Sequence, residues 1–400
     1  MLRSLSILAI AAGAAGVLTL ACSGTFEPTT AISREPIPSS SKSGNVPTLT
    51  TQSSGTTSRL QAVSPVNSQI VWASGVNGTF VVTTDGGRTW TPGVVPGAEA
   101  LQFRDVHGVN ARVAYLMSIG DLPEDFRIYK TVNGGHTWAM QFQNHNPGAF
   151  YDCFDFWNPN RGITFSDAVA GRFPVIRTTN GQTWQDIGNR LPAALPGEAG
   201  FAASGTCVAT QGDQNAWIAT GGTATPRVLV TTDGGNSWNA YNTPLVGGSS
   251  AGGTTVAFRD RFHGIIAGGD LAALPTDPPS AKRAAVSSDG GRTWSLVKPP
   301  PLSTTNAGDF GGSVFGLSYV PGRGDQTVVV TGPGGTAWSS NEGRRSWQLI
   351  PDLKGFWAVA FANHRAGWLV GTGGRIIKVS FENGGNSDDD HDDGGGSRAQ

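Results

Sequence analysis

Several acidic side chains lie between the apolar runs of this chain and could do chemistry. Asp152 and Asp155 flank Cys153, and Asp167 and Asp270 lie in long polar stretches. Two carboxyl groups held about 5–9.5 Å apart across a sugar cleft can act as the acid and base of a glycosidase. Asp155 lies within an apolar, strand-like run, so its carboxylate must be paired, hydrated or bound to a ligand, and Arg172 is a candidate partner. These five residues are the candidate ligand-binding set.

Three interpretations of this set remain open: solvated loop charges, a binding site for a protein or glycan, and a hydrolase using two loop carboxylates. The six histidines are scattered without an i,i+4 pair, so no metal site is expected. Gly332-Pro-Gly-Gly-Thr-Ala337 only partly matches a dinucleotide-binding turn and has no helix after it, so no cofactor is expected. The formal net charge of −1, without a cluster of basic and aromatic residues, argues against nucleic acid as a partner.

A recurring phrase identifies the elements that must position these acids. Thr83-Thr-Asp-Gly-Gly-Arg-Thr-Trp90 returns in five related forms, and its final tryptophans are 48, 46, 54, 56 and 53 positions apart. A period of about 50 residues with short strand-like runs is typical of a β-propeller. Because each repeat needs its neighbours to bury its faces, residues 58–381 are predicted to form one closed array.

The number of repeats predicts how the ring closes. Seven first strands are recognisable, from Leu60-Gln-Ala-Val63 to Trp357-Ala-Val-Ala-Phe361, but only six phrases end in tryptophan. The last unit stops at Phe381 after its third strand. We therefore predict an all-β, seven-bladed propeller of four-stranded blades, with a segment near residues 46–51 completing the last blade.

The phrase resembles the Asp-box, Ser/Thr-x-Asp-x-Gly-x-Thr-Trp, of sialidase-like (BNR) propellers. Its acidic or amide residue can accept backbone N–H groups within a turn whose glycines adopt positive φ. We therefore expect structural roles in turns, not catalysis or metal binding, for these residues: Asp85, Asn133, Asn180, Asp233 and Asp289.

Across residues 58–381, the first strands that often end in an aromatic residue, the Gly-closed turns and the phrase together resemble the photosystem II stability/assembly factor-like branch of that superfamily. The stretches Phe150-Tyr-Asp-Cys-Phe-Asp-Phe-Trp-Asn158 and Phe201-Ala-Ala-Ser-Gly-Thr206 resemble exported bacterial relatives. This resemblance implies a seven-bladed propeller and, for the named branch, an assembly role. It implies no particular substrate. The sequence also lacks the Arg-Ile/Leu-Pro element expected of a sialidase.

The N-terminus is typical of an export signal, with Arg3 before the apolar run Leu5–Ala21. Leu18-Thr-Leu-Ala-Cys22 resembles a bacterial lipobox, so we predict a signal peptide over residues 1–21 and a lipid on Cys22. Simple cleavage and a membrane-spanning anchor are the alternatives. Residues 22–57 are predicted to be a Ser/Thr/Pro-rich tether, and residues 382–400 a disordered acidic tail.

Cys153 and Cys207 could form a disulfide in an exported protein. They occupy equivalent positions in neighbouring repeats, however, so propeller symmetry should turn both side chains the same way around the ring. We therefore expect them to remain unbridged.

The two faces of the propeller differ in loop length. The connections between second and third strands and between successive blades are long, while the other turns are tight. Binding sites favour variable loops on a rigid scaffold. We therefore expect a monomeric binding or assembly module that uses its loop-rich face and is held at a bacterial membrane by Cys22 alone, with a glycoside hydrolase as the alternative.

Overall fold

The short strands of each repeat form one antiparallel four-stranded blade, because each strand pairs with the strands before and after it in the sequence. A computed structural model describes residues 46–274, 276, 280–305 and 307–382. Its sheets form seven blades, which confirms the predicted all-β propeller. The first strands of successive blades contact one another in a closed ring, from the first blade through the seventh and back to the first, so they surround the central axis.

The strands of blades 1 to 3 have the following bounds: β2 Leu60–Pro65, β3 Val71–Gly75, β4 Thr79–Thr83 and β5 Thr91–Val94; β6 Gln102–Gly108, β7 Ala114–Ile119, β8 Arg127–Thr131 and β9 Ala139–Gln143; β10 Tyr151–Asn158, β11 Arg161–Ser166, β12 Val175–Thr178 and β13 Gln185–Asp186. Those of blades 4 and 5 are β14 Val208–Gln211, β15 Asn215–Ala219, β16 Arg227–Thr231 and β17 Asn239–Asn242; β18 Ala251–Phe258, β19 Gly264–Asp270, β20 Ala284–Ser287 and β21 Ser295–Leu296.

Blade 6 contains β22 Gly316–Tyr319, β23 Val328–Gly332, β24 Gly335–Ser339 and β25 Gln348–Ile350; blade 7 contains β26 Phe356–Asn363, β27 Ala366–Gly371 and β28 Ile376–Ser380, together with β1 Thr48–Gln52. Short 3-10 turns lie at Pro123–Asp125, Gly188–Arg190, Ala307–Gly312 and Thr372–Gly374.

Strand β1 closes the ring as the outer strand of blade 7, as the repeat count predicts. It pairs antiparallel with β28, from Thr48 opposite Ser380 to Gln52 opposite Ile376. The Oε1 atom of Gln52 accepts hydrogen bonds from the indole N–H groups of Trp90, at 3.1 Å, and Trp368, at 3.2 Å. Gln52 therefore joins blade 7 to blade 1, although it lies within the segment predicted to be a tether.

The core consists of apolar layers between neighbouring blades. Trp72, Trp217 and Trp368 are fully buried, and each is the second or third residue of the second strand of its blade. The ring of Trp217 stacks on Phe258 of the next blade, with centroids 3.6 Å apart. Large apolar side chains are thus buried at equivalent positions in several blades. This repeated packing makes the ring rigid and fixes the points from which the loops leave it.

The structure corrects the expectation for the cysteines, because Cys153 and Cys207 form a disulfide. Their Cα atoms are 5.8 Å apart, since innermost strands converge at the axis, and this separation lies in the range that a disulfide spans. Cys207 immediately precedes β14, and its carbonyl still accepts a hydrogen bond from the backbone N–H of Ala219 in β15, at 2.9 Å. The close approach of the two backbones at the axis therefore allows the sulfur atoms to bond, although the two residues occupy equivalent positions.

Candidate functional site

Irregular sheet pairing marks the end of the axis at the loop-rich face. Five of the seven innermost strands carry a register shift at the corresponding level of the sheet. Such bulges re-aim one side chain and are frequent at barrel rims and near functional sites. We call the displaced residues the axial ring, and they are Gln61, Arg104, Asp152, Thr254 and Trp357.

Side chains of the axial ring meet at the axis. The guanidinium of Arg104, in blade 2, lies 5.3 Å from the ring centroid of Trp357, in blade 7, so it extends past blade 1. Arg59 precedes blade 1, and its guanidinium lies 4.5 Å from the same indole. Both are cation–π contacts. Burial lowers the pKa of Arg104 to about 9, and the nearby charge of Arg59 acts in the same direction, so both remain cationic at neutral pH.

Asp152 and Asp167, two of the predicted candidates, come together beside the axial ring. Both are buried, and their carboxyl groups are in hydrogen-bond contact. The backbone N–H of Gly200 donates to Asp167 Oδ1 at 2.9 Å. Burial, reinforced by the adjacent Asp167, raises the pKa of Asp152 well above its usual range. Ionising both carboxyl groups would place two negative charges side by side in a buried position, which is unfavourable.

The long connection between blades 3 and 4 closes this end of the axis. We call residues 199–206 the axial segment. The carbonyl of Ala202 accepts a hydrogen bond from Arg104 of blade 2. The hydroxyl of Ser204 donates to the carbonyl of Phe315 in blade 6, at 2.6 Å. Ala203 is buried against Trp357 and Phe315. The segment thus contacts blades on opposite sides of the ring and covers the buried polar residues.

Asp155 lies deeper in the channel than the axial ring. Its carboxylate accepts hydrogen bonds from the backbone N–H of Thr210, at 2.7 Å, and of Phe156, also at 2.7 Å. His107 Nδ1 is 3.8 Å from Asp155 Oδ1. The expected partner Arg172 instead pairs with Asp186 at 2.7 Å, where both side chains are half exposed. Arg172 extends outward because it lies in a strand-connecting loop at the rim, away from β10.

The pKa of Asp155 gives a pH dependence that can be measured. Burial raises this pKa to about 6, whereas an unfolded aspartate ionises near pH 4. The contribution of Asp155 to stability is therefore complete below about pH 4 and decreases as the pH rises to about 6. We expect Asp155→Asn to remove this decrease. Thermal unfolding from pH 4 to 7 checks it, and parallel curves for both proteins would contradict it.

Asp270, another candidate, belongs to blade 5 and makes local contacts. Its Oδ1 atom accepts from the hydroxyl of Ser250 at 2.7 Å and from the backbone N–H of Ala272 at 3.0 Å. The carboxyl groups that do come together, Asp152 and Asp167, touch one another, whereas a glycosidase needs a separation of about 5–9.5 Å. The arrangement therefore fits the binding of a polar group better than acid–base cleavage of a sugar.

The acidic and amide residues of the recurring phrase lie in tight turns at the opposite face. Asp85 Oδ1 accepts from the backbone N–H of Thr89 at 3.0 Å, and the hydroxyl of Thr89 donates to Asp85 Oδ2 at 2.6 Å. The hydrogen bonds from Thr89 lower the pKa of Asp85. Comparable backbone N–H bonds within the turn are accepted by Asn133, Asn180, Asp233 and Asp289.

Cys22, the predicted lipidation residue, lies outside the described residues, as does the acidic tail beyond Glu382. Within the described part of the chain, no helix has the length and apolar character needed to cross a bilayer.

Sequence analysis missed Arg59, Gln61, Arg104 and Trp357. Each lies at or just before the start of a first strand, where a polar or very large side chain stands between residues of the core. In Leu60-Gln-Ala62 the apolar–polar–apolar order is that of a regular strand, so the sequence gives no signal for the bulge there. In Phe103-Arg-Asp105 two polar residues follow one another, which is a weak signal, but it does not show that bulges from separate blades meet.

No family model and no curated protein match the chain. Solved structures do. "YCF48 bound to D1 peptide" has a TM-score of 0.58 at 16% identity, covering 84% of this chain and 97% of that one. YCF48 from Cyanidioschyzon merolae has a TM-score of 0.55 at 15% identity, covering 83% and 98%. An inactive virginiamycin B lyase from Staphylococcus aureus, solved with quinupristin, has a TM-score of 0.57 at 10% identity, covering 84% and 100%.

These likenesses place the chain in the class of seven-bladed β-propellers. At identities of 10–16% they establish the fold and not an activity, since binding propellers and a lyase share it.

Proposed function

We propose that this protein is an exported propeller that binds a protein partner through its loop-rich face, centred on the mouth of the axis. The observation that carries the proposal is the stacking of Arg59 on Trp357 at this mouth. Arg59 is partly exposed, and within the described part of the chain its guanidinium forms no ion pair. Arginine and tryptophan dominate binding energy in protein interfaces.

Surrounding features favour a protein partner with an acidic or polar segment. The ring of Phe310 packs against Phe315 and Trp357, which adds apolar surface beside Arg59. The two buried carboxyl groups contact each other and do not face across a cleft. A structure of the same fold, described as YCF48 bound to D1 peptide, lends support to a peptide-binding role.

The proposal includes export and attachment to a membrane through a lipid on Cys22. The apolar N-terminus and the lipobox-like Leu18-Thr-Leu-Ala-Cys22 support it. The disulfide between Cys153 and Cys207 supports it independently, because disulfides persist mainly in oxidising compartments. The partner would then be an envelope or cell-surface protein.

Cross-linking of the full chain in its native host, followed by mass spectrometry, tests this function. We expect Arg59→Glu to reduce recovery of a stoichiometric envelope partner at least about tenfold, which corresponds to a loss of about 1.4 kcal/mol of binding free energy. Arg292→Glu is the matched control, because Arg292 is exposed on a tight turn at the opposite face. Cys22→Ala should move the chain from the membrane fraction to the soluble fraction.

If Arg59→Glu and Arg292→Glu reduced recovery of the partner equally, the proposal that the partner binds at the loop-rich face would be overturned. Saturable binding on a glycan array, with no protein recovered from the host, would overturn the choice of a protein partner.

A further inference from the structure

We propose that the axial ring, beneath the axial segment, binds one small carboxylate anion. This site goes beyond the protein-binding face, with which it shares Arg59, and Gln61 distinguishes the two. The argument rests on Gln61, Arg59 and Arg104, whose polar atoms converge on the axis without enough protein partners.

Gln61 provides the first observation. Its side chain is fully buried, and neither its amide nitrogen nor its amide oxygen has a hydrogen-bond partner among the described residues. Burying a primary amide without partners costs several kcal/mol, so such groups in native proteins contact water or a ligand. Gln61 belongs to blade 1, between the blades that carry Arg104 and Trp357. Its amide therefore lies in the same part of the ring as the paired guanidinium groups.

The arginines provide the second observation. Arg104 is buried, and it uses Nη1 on the carbonyl of Ala202 and Nη2 on Gln102 Oε1, at 3.3 Å. Among the described residues, its Nε–H has no partner, and neither has the Nε–H of Arg59. With the Gln61 amide, these groups present N–H donors from two blades to one region. Such a set of donors matches a ligand that only accepts hydrogen bonds.

Charge favours an anion. Within the described residues, neither Arg59 nor Arg104 is in an ion pair, although their guanidinium groups contact the same Trp357 ring. Burial raises the pKa of the neighbouring Asp152 well above its usual range, which reduces the negative charge available to offset them. Arg104 is buried, and an unpaired buried charge is costly.

Shape and access favour a free carboxylate over a chain end. A carboxylate is planar and accepts two parallel N–H groups from a guanidinium, and the Trp357 indole offers a flat surface beside them. The axial segment covers the ring, with Ala203 buried and Ser204 bonded across to Phe315. A polypeptide would have to displace this segment to reach the ring, so a small acid is the better fit.

Thermal unfolding with acetate as the probe tests the site. In a chloride buffer free of carboxylates, we expect a saturable increase in Tm of about 4 °C at a hundredfold excess over Kd. Acetamide, the uncharged analogue, should give no increase. An equal response to sulfate or phosphate would overturn the carboxylate class, since both are tetrahedral.

Gln61→Leu removes the amide while nearly keeping the volume of the side chain. Without acetate we expect its Tm to equal or exceed that of the natural protein, because an unsatisfied buried amide is lost. Its apparent affinity for acetate should fall at least tenfold. Gln348→Leu is the matched control, because Gln348 is exposed in β25 and should leave the response unchanged.

Crystals grown with saturating acetate provide a second measurement that does not depend on the stability of a variant. We expect a planar anion between Arg104 and Gln61. Water alone at this position, or a full acetate response in Gln61→Leu, overturns the proposal. Partner recovery by Gln61→Leu should stay normal, so failure of this site and failure of the protein-binding face are distinguishable.

Discussion

A chain that begins at residue 53, after strand β1, is expected to lose about 5 kcal/mol or more of its free energy of unfolding relative to one that begins at residue 46. Most of β1 is exposed, so its contribution comes from backbone pairing with β28 and from Gln52, not from apolar burial. A loss of this size approaches the whole stability of many domains. Urea denaturation followed by tryptophan fluorescence measures it.

Two point variants locate the effect within β1. Gln52→Leu leaves the indole N–H groups of Trp90 and Trp368 without their acceptor, which should cost about 3 kcal/mol. Thr50→Ala, at an exposed position of the same strand, should cost less than about 0.5 kcal/mol. The truncated chain should also associate, because it leaves β28 as an unprotected edge. A monomeric truncated chain of unchanged stability would show that β1 does not close the ring.

Removal of the disulfide is expected to cause the second large loss of stability. In the variant that combines Cys153→Ala and Cys207→Ala, we expect a loss of about 4 kcal/mol in the free energy of unfolding, the entropy of closing a loop of this length. The bonded residues are 54 positions apart in the chain and lie in neighbouring blades. The axial segment ends at Thr206, next to Cys207, so the variant should also loosen the cover over the axial ring.

The natural protein, reduced under the same conditions, is the matched comparison for that variant. Both should unfold at the same urea concentration, below that of the oxidised protein. Backbone hydrogen exchange in residues 199–206 should be faster in both than in the oxidised protein. Coincident unfolding of all three proteins would mean that the disulfide adds no stability.

Much of the fold could be predicted because a propeller is a local pattern used many times. Each phrase such as Thr83–Trp90 makes its own turn through contacts within a few residues, as Asp85 and Thr89 show. The sequence has six phrases that end in tryptophan but seven first strands, which predicts an N-terminal closing strand. The structure has this strand at Thr48–Gln52. These inferences depend only on contacts within one repeat or between adjacent repeats.

The candidate site was less predictable because it depends on contacts between distant repeats. The prediction placed Arg172 beside Asp155, but Arg172 pairs with Asp186, within its own blade. The prediction for the cysteines was wrong for a related reason. Rotational symmetry turns equivalent side chains the same way around the ring, but the first strands converge at the axis, where the Cα atoms of Cys153 and Cys207 are only 5.8 Å apart. Such contacts depend on local differences between one blade and the next. The repeat pattern in the sequence does not predict these differences.

The sequence by itself determined a seven-bladed, all-β ring with tight turns at one face and long loops at the other, because spacing, turn residues and strand alternation act over short distances. Only the tertiary structure decided which side chains meet at the axis. Bulges in separate strands turn Gln61, Arg104 and Trp357 inward, and residues 199–206 fold over them. A bulge costs one residue of local pairing, but where it directs a side chain depends on the curvature of the whole ring.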